Sequence, residues 1–308
     1  MTRSSPASAP LPLSSVTILT PAKINLVLRI LDRRADGYHN LWSLIQTVGL
    51  EDDIAIRINS TPGRITLQCD VPSLKVDHTN LVFRAAAEVL RCSGRPVGLD
   101  IVLTKRIPMG AGLGGGSSDA AATIIALDRL LNLGWSPTEM AQVGQTLGSD
   151  VSFFFFAPSA AVTGRGEVVT PVHITGSRWV VIVNPGFSVD TRWAYQELSS
   201  TRTAVQPLSD PHLQLGREPR LSWERVLAVA ENDFETPVFR THPRLQTIKR
   251  ALLDQGAEAA LLSGSGATVF GVFLGEAEAQ RVLAYFQTQP DLIVFAVPAG
   301  SLPRVSQL

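Results

Sequence analysis

Five glycines, Gly110, Gly112, Gly114, Gly115 and Gly116, fall between Pro108 and the serines Ser117 and Ser118, directly ahead of an Ala-rich segment. Backbone bare of side chains lets a ligand approach closely. Main-chain N–H groups at a helix start, the positive end of the helix dipole and two hydroxyls together form a receptor for phosphate oxygens. A flexible linker is the plainer reading, but a linker would not run straight into a buried Ala-rich helix. Three nucleotide-binding patterns use loops of this kind. Gly110-x-Gly112-x-x-Gly115 matches the dinucleotide fingerprint in form, yet that pattern asks for an acidic residue about twenty positions on, at the end of a second strand. Asp128 comes too early and lies within the helix. A phosphate loop of the GxxxxGK[ST] type needs a lysine where Gly116 stands. No VAIK or HRD segment follows, as a protein-kinase loop would require. The loop therefore binds phosphate without a cation of its own, and positive charge must come from a metal ion or from elsewhere in the chain. His78, His173, His212 and His242 form no metal-ligand spacing and the cysteines, Cys69 and Cys92, stand alone, so no zinc site is supported.

The loop PMGAGLGGGSSDAA resembles the ATP loop of the GHMP small-molecule kinases, and LLSGSGATVFGVF at 261–273 resembles their third, C-terminal glycine motif. PAKINLVLRILDRRADGYHNL, LGSDVSFFF and GRGE at 164–167 are similar to the branch that phosphorylates the 2-hydroxyl of 4-diphosphocytidyl-2-C-methyl-D-erythritol, in the non-mevalonate route to isoprenoid precursors. The resemblance runs from about residue 16 to the last strand and leaves out the first fifteen residues and 199–230. It implies ATP with Mg2+ as co-substrate complex, the ion touched by Ser117 or Ser118, and Lys23 and Asp150 as the catalytic pair. It implies that Asn80 lies near the adenine, that Asn25, Tyr38 and His39 contact the cytidine, and that Thr191 lies near the phosphates. Tyr195, with Trp193 as rival, is the second aromatic facing the cytosine. Gly264 and Gly266 would let the third motif pack against the ATP loop or the substrate, and Arg165 and Glu167 would form an ion pair in the site wall. Without the resemblance, Lys23 reads as a surface charge, Asp150 as a turn or capping residue, Tyr38-His39 as a surface turn and Asn80 as an ordinary N-cap. A homoserine or mevalonate-type kinase, or a nucleotide-binding protein without turnover, are the alternatives; GYHNL at 37–41 favours the cytidylyl substrate.

The elements that must position these residues are mixed. Val16–Leu19 and Lys23–Ile30 alternate as strands, Asp36-Gly37 marks a turn, and Ser43–Leu50, Asp53–Ile58 and Arg64–Cys69 continue the sheet. Lys23 and Asn25 share a strand face by the two-residue period. Helical spacing runs from Asn80 to Cys92, strand from Gly98 to Ile107, and a buried helix from Ser117 to Leu131. Pro137 and Gly148 frame the next helix. VSFFFF and AAVTGRGEVV read as strands, as does Trp179–Val183. Residues 199–218 read as a long surface excursion. Beyond it, Ser222–Ala230, Pro243–Gln255 and Glu276–Thr288 read as helices, and Ala257–Leu262, Thr268–Leu274 and Leu292–Val297 as strands.

These elements predict an α+β protein of two domains. The resemblance implies the two-domain GHMP-kinase architecture, in which an N-terminal ATP-binding domain resembling ribosomal protein S5 domain 2 would span 16–173, and a ferredoxin-like C-terminal domain 174–308, after a disordered tail at 1–15. The chain has 308 residues, 45% hydrophobic and 18% charged, with 27 basic against 27 acidic side chains. That composition supplies a sizeable core, and zero net charge removes the field that draws proteins nonspecifically to nucleic acid or anionic membranes. The partners expected are small molecules, ATP and a cytidine diphosphate of methylerythritol, handled by a monomer or weak homodimer. No apolar run reaches the twenty residues of a membrane span, and unpaired cysteines suit a reducing compartment. Bacterial cytoplasm is the expected location, with a plastid the lesser alternative.

Overall fold

The structure is a computed structural model that describes residues 14–306, apart from 203 and 206. The Ser/Pro/Ala-rich start thus lies outside the described residues except for Ser14, whose carbonyl accepts from the Ile58 amide, and Ser15, which opens the first strand.

Two long strands dominate, β1 (Ser15–Arg33) and β2 (His39–Asn59), where the sequence suggested four shorter ones. They pair antiparallel along most of their length and absorb irregularities as bulges, one of which inserts Leu26 between the pairs Asn25↔Ile45 and Val27↔Leu44. The turn at Asp36-Gly37 joins them, with Gly37 at φ +86°. The sheet continues with β3 (Ile65–Cys69), β4 (Gly98–Thr104), β5 (Ser159–Gly164) and β6 (Val168–Pro171). Short strands β7 (His173–Thr175) and β9 (Arg220–Ser222) pair with each other, flanking β8 (Trp179–Asn184) in the chain. Two further C-terminal segments join β1 itself, β10 (Glu231–Asn232) and β14 (Arg304–Ser306). The second sheet has the order β11 (Ala259–Leu262), β12 (Val269–Phe273), β8, β13 (Ile293–Pro298).

Helices α1 (Leu81–Ser93), α2 (Gly115–Leu131) and α3 (Pro137–Gln145) cover the first sheet. Asn80 caps α1, Gly94 ends it in the left-handed region, and Ser136 with Glu139 closes a capping box on α3. Ala120, Ala121, Ala122, Ile124, Ala126 and Leu127 are all buried, as expected of a helix apolar nearly all round. On the C-terminal side lie α4 (Thr191–Thr201), α5 (Asp210–Leu215), α6 (Trp223–Leu227), α7 (Glu235–Thr241), α8 (Pro243–Asp254) and α9 (Glu276–Gln287). The mixed architecture is that of the expected α+β class.

Two readings are corrected. VSFFFF is a single 3-10 turn over Ser152–Phe155, not a strand: consecutive Phe153 and Phe154 are both buried in one core, which the alternating faces of a strand would not allow. Residues 199–218 are not a plain surface excursion, because α4 runs to Thr201 and α5 buries His212 and Leu215. The polar composition reflects helices with narrow apolar faces.

The turn preceding that 3-10 segment carries Asp150, so its position depends on the phenylalanines beneath. Phe153→Ala is expected to cost ~3–5 kcal/mol, read as a lower urea midpoint without a change in slope.

Candidate active site

The glycine loop leads into α2, whose N-cap Gly114 sits at φ +69° and offers no side-chain cap. The first-turn amides of Gly115, Gly116 and Ser117 thus lack intrahelical acceptors. They border a cavity of about 570 Å3 lined also by Pro108, Gly110, Gly112 and Asn80. Asn80 is both at once: its side chain accepts from the Val82 amide as an N-cap, and it stands at the cavity wall. Ser117 lines this cavity, whereas Ser118 does not. Ser118 is fully buried, its hydroxyl bonded to Thr20 and to the Pro21 carbonyl, so it fastens α2 to β1 and is not a free phosphate or metal contact.

The loop is held from behind by backbone. Lys23 N–H donates to the Leu113 carbonyl (2.9 Å), Thr268 N–H to Ala111 and the Ser263 hydroxyl to Gly112. A Cβ on Gly112, at φ +79°, would lie 2.0 Å from the Ser263 carbonyl oxygen. The third glycine motif therefore packs on the first, as its glycines suggested.

Positive charge stands on both sides of the loop. Lys23 rises from β1, its chain 2.8 Å from where a Gly114 Cβ would be. Lys105, which the sequence reading missed, lies with its ammonium 3.2 Å from a Gly115 Cβ and pairs with Asp119 (2.7 Å) and Asp52. Asp52 also accepts the Arg106 and Ile107 amides, fixing the chain as it enters the loop. Burial pushes the Asp119 carboxyl up to about 7, against the pull of Lys105. Nothing in the spacing of Asp52, Lys105 and Asp119 announces this cluster; only the pairing of β2 with β4 brings the first two together.

Asp150 faces Lys23, Oδ2 to Nζ 3.7 Å, with the carboxylate half-exposed and the lysine buried. Both border a small cavity of about 180 Å3 that also touches Gly112, Gly114, Thr191, Tyr195 and Gly264. This cavity shares Gly112 and Gly114 with the glycine-loop cavity. It shares Asp150, Thr191 and Tyr195 with a third, about 1000 Å3, on the far side. Tyr38 and His39 line the third. The His39 and Tyr195 rings stack with centroids 5.3 Å apart, and Trp193 instead meets His242 edge-on. Burial, with Arg33 and Arg202 nearby, holds the His39 imidazole below its ordinary range. Burial and Asp150 push the Tyr195 phenol up to about 12.

Two expectations fail here. Asn25 does not join Tyr38 and His39; it lies with Lys23 in the small cavity, because its strand face points inward. Arg165 and Glu167 form no ion pair: the Arg165 guanidinium sits 5.1 Å over the Tyr38 ring, and the Glu167 carboxylate accepts the Arg165 amide. The tight turn at Gly164 and Gly166 directs the two side chains apart.

The chain matches "GHMP kinases N terminal domain" over residues 80–157 and "GHMP kinases C terminal" over 215–291. It is 40% identical over 287 residues to the 4-diphosphocytidyl-2-C-methyl-D-erythritol kinase of Geobacter metallireducens, covering 93% of this chain and 99% of that protein. To the enzyme of the same name from Syntrophus aciditrophicus it is 43% identical, covering 91% and 98%. A crystal structure of 4-(cytidine 5'-diphospho)-2C-methyl-D-erythritol kinase superposes with TM-score 0.75 at 32% identity, over 92% of this chain and 99% of that one. A homoserine kinase from Cytophaga hutchinsonii superposes with TM-score 0.74 over 99% and 100%, but at 18% identity that likeness is one of fold alone.

Ionising Asp119 next to Asp52 costs folding free energy. Its carboxyl is raised from 3.8 to about 7 on folding, so the contribution to stability is fully present below pH 4 and lost as pH rises through 7. Against Asp119→Asn, which cannot titrate, the wild-type melting temperature should lose ground between pH 4 and pH 7 in paired calorimetric scans and level off above that. A constant difference over that range would contradict the assignment.

Proposed function

The chain belongs to the GHMP kinases and, within them, to the 4-diphosphocytidyl-2-C-methyl-D-erythritol kinases, and we propose that Lys23 and Asp150 carry out its reaction. The activity is transfer of the γ-phosphoryl group of ATP to the 2-hydroxyl of the diphosphocytidyl substrate. One observation carries the assignment of the centre: Lys23 and Asp150, 127 positions apart in sequence (150 − 23), meet at 3.7 Å at the small cavity that shares lining residues with each of the two larger ones.

Phosphoryl transfer asks chiefly for alignment and for neutralisation of developing charge. The amides of Gly115, Gly116 and Ser117 would hold the triphosphate, and Asn80 with Pro108 would border the nucleoside. The substrate hydroxyl would sit beside Asp150, whose carboxylate accepts its proton as the oxygen bonds to the γ-phosphorus and the bond to the bridging oxygen breaks, releasing ADP. Lys23 neutralises charge on the transferring group. Ser117 at the cavity wall and the half-exposed Asp150 carboxylate are hard oxygen donors of the kind that would hold magnesium arriving with ATP, and the ion would supply further neutralisation of the phosphates.

In the large cavity, Tyr195 stacked on His39 offers an aromatic face for the cytosine, and Tyr38 under Arg165 forms the opposite rim. Thr191, which lines both cavities, would reach the diphosphate; its hydroxyl shares a hydrogen bond with Ser265 of the third motif. Cavity sharing supports Tyr195 over Trp193 as the second aromatic. The reading is of small-molecule substrates handled by a monomer or weak homodimer, and in it no nucleic acid or membrane takes part. No helix among the described residues is long and apolar enough to cross a membrane.

Incubation with magnesium-ATP and 4-diphosphocytidyl-2-C-methyl-D-erythritol should release ADP, and Asp150→Asn should lower kcat by ~10²–10⁴-fold, the usual contribution of a positioned proton acceptor. Full turnover in that variant would remove Asp150 from the chemistry. Turnover of homoserine or mevalonate in place of the cytidylyl compound would overturn the substrate. Tyr195→Leu should raise KM for the cytidylyl substrate roughly tenfold, within the range for base stacking, and leave KM for ATP within about twofold.

A further inference from the structure

We propose that Asn25 and Ser43 are positioning residues for the reaction: together with the Gly264 amide they fix the orientation of the Lys23 ammonium. The proposal rests on the reading of Lys23 as a reacting-centre residue and assigns Asn25 a role other than base recognition.

The hydrogen bonds leave the arrangement no freedom. The Ser43 hydroxyl donates to the Val27 carbonyl (2.7 Å), which can only accept. With its proton committed, the Ser43 oxygen faces Asn25 as an acceptor and takes the Asn25 Nδ2–H at 2.9 Å. The Asn25 amide is thereby oriented with Oδ1 toward the site. That oxygen receives two obligate donors, Lys23 Nζ at 2.8 Å and the Gly264 N–H at 3.1 Å. A flipped amide would set Nδ2–H against both donors at once. Lys23, Asn25 and Ser43 are 4%, 4% and 1% exposed, so water does not compete for these bonds.

The strand explains the placement. Leu26, the extra residue of the bulge, interrupts the β1–β2 register just after Asn25, and Ser43, paired with Leu28, lies on the partner strand just beyond the interruption. The third glycine motif enters through Gly264, at φ +57°, where a Cβ would stand 3.5 Å from Lys23 Nζ and 3.2 Å from the Gly112 carbonyl oxygen. One carbonyl oxygen thus connects the lysine at the reacting centre to the C-terminal motif that also braces the ATP loop. An acceptor 2.8 Å from an ammonium fixes one of its three N–H directions, leaving the others for Asp150 and the transferring group.

The test compares Ser43→Ala, Ser43→Thr, Asn25→Ala and the double alanine variant in steady-state kinetics, with the order of the Lys23 ammonium read separately by 15N relaxation of its NH3+ group, which needs no turnover. Expected are a kcat about tenfold lower in Ser43→Ala, the scale of one lost hydrogen bond, with both KM values within about threefold and recovery in Ser43→Thr. In Asn25→Ala kcat should fall and the Lys23 ammonium should lose order, and adding Ser43→Ala should bring no further loss, since the two act as one relay. An ammonium as ordered in Asn25→Ala as in the wild type, or losses that multiply in the double variant, would overturn the proposal. Should the alanine variants fail to fold, Asn25→Asp serves: it keeps the acceptor oxygens but cannot donate to Ser43, so the Lys23 ammonium must stay ordered, and a loss of order there counts against the relay. A wild-type protein that turns over no cytidylyl substrate yet shows these changes in order would sink the catalytic reading and leave the relay standing.

Discussion

An uncapped helix start is the constraint on which the site depends. The first turn of α2 presents backbone N–H groups that no side chain satisfies, and such groups gain most when an anion completes them. To be useful they must be reachable, which rules out side chains along the loop, and immobile, which requires contacts from behind. The chain meets both demands with glycines in front and backbone hydrogen bonds to β1 and to the third motif at the rear. Loop, strand and motif form one unit. A side chain at Gly112 would drive the Ser263 carbonyl away and loosen all three.

The same constraint sets the charges. A loop built from amides carries partial charge only, too little for a triphosphate, and the sequence offers no lysine within it. The fold supplies two from neighbouring strands, and their environments differ. Lys105 is enclosed by Asp52 and Asp119, so the cluster is close to neutral while Asp119 keeps its proton, and it braces the strand-to-loop junction. Lys23 has a neutral amide as its nearest partner and a half-exposed carboxylate beyond hydrogen-bond distance. Its charge remains available to the cavity. Of the two lysines flanking one loop, one is tied into the structure that holds it and the other faces the cavity.

What could be read in the sequence followed from local chemistry. The glycine loop, the buried Ala-rich helix and the Asp36-Gly37 turn are specified by residues next to one another, and the structure has each of them. The glycine motifs and the segment around GYHNL carried the family, and relatives about 40% identical agree with it. The failures came where tertiary packing decides. Four phenylalanines in a row look like a strand until both Phe153 and Phe154 are required in the same core. Asn25 looked like a ligand for a base, since an amide is suited to one; that its acceptor would be taken by Lys23 and Gly264 depends on residues 239 positions apart. The Asp52–Lys105–Asp119 cluster has no sequence signal because each member, alone, is an ordinary charged residue.

The division of the chain at residue 173, drawn from element patterns, meets a further fact of topology. β10 runs parallel to β1 at Val27 and Leu28, and β14 pairs with its other end at Thr17–Leu19. Strands contributed by the second half of the sequence thus complete the sheet of the first half. Arg29 adds ion pairs to Glu231 and Asp233, and Arg202 reaches Asp233 from α4. These contacts bracket the stretch of β1 that bears Lys23 and Asn25. Moving the halves apart as rigid bodies would break two ladders and a buried charge network, at a cost that substrate binding would have to repay in full. The lower-cost motions lie in the exposed Tyr38 side chain and in the rim of the large cavity. Lys23, held on one strand common to both halves, keeps its geometry through such motions, and the proposed reacting centre gains from it the alignment that an in-line transfer demands.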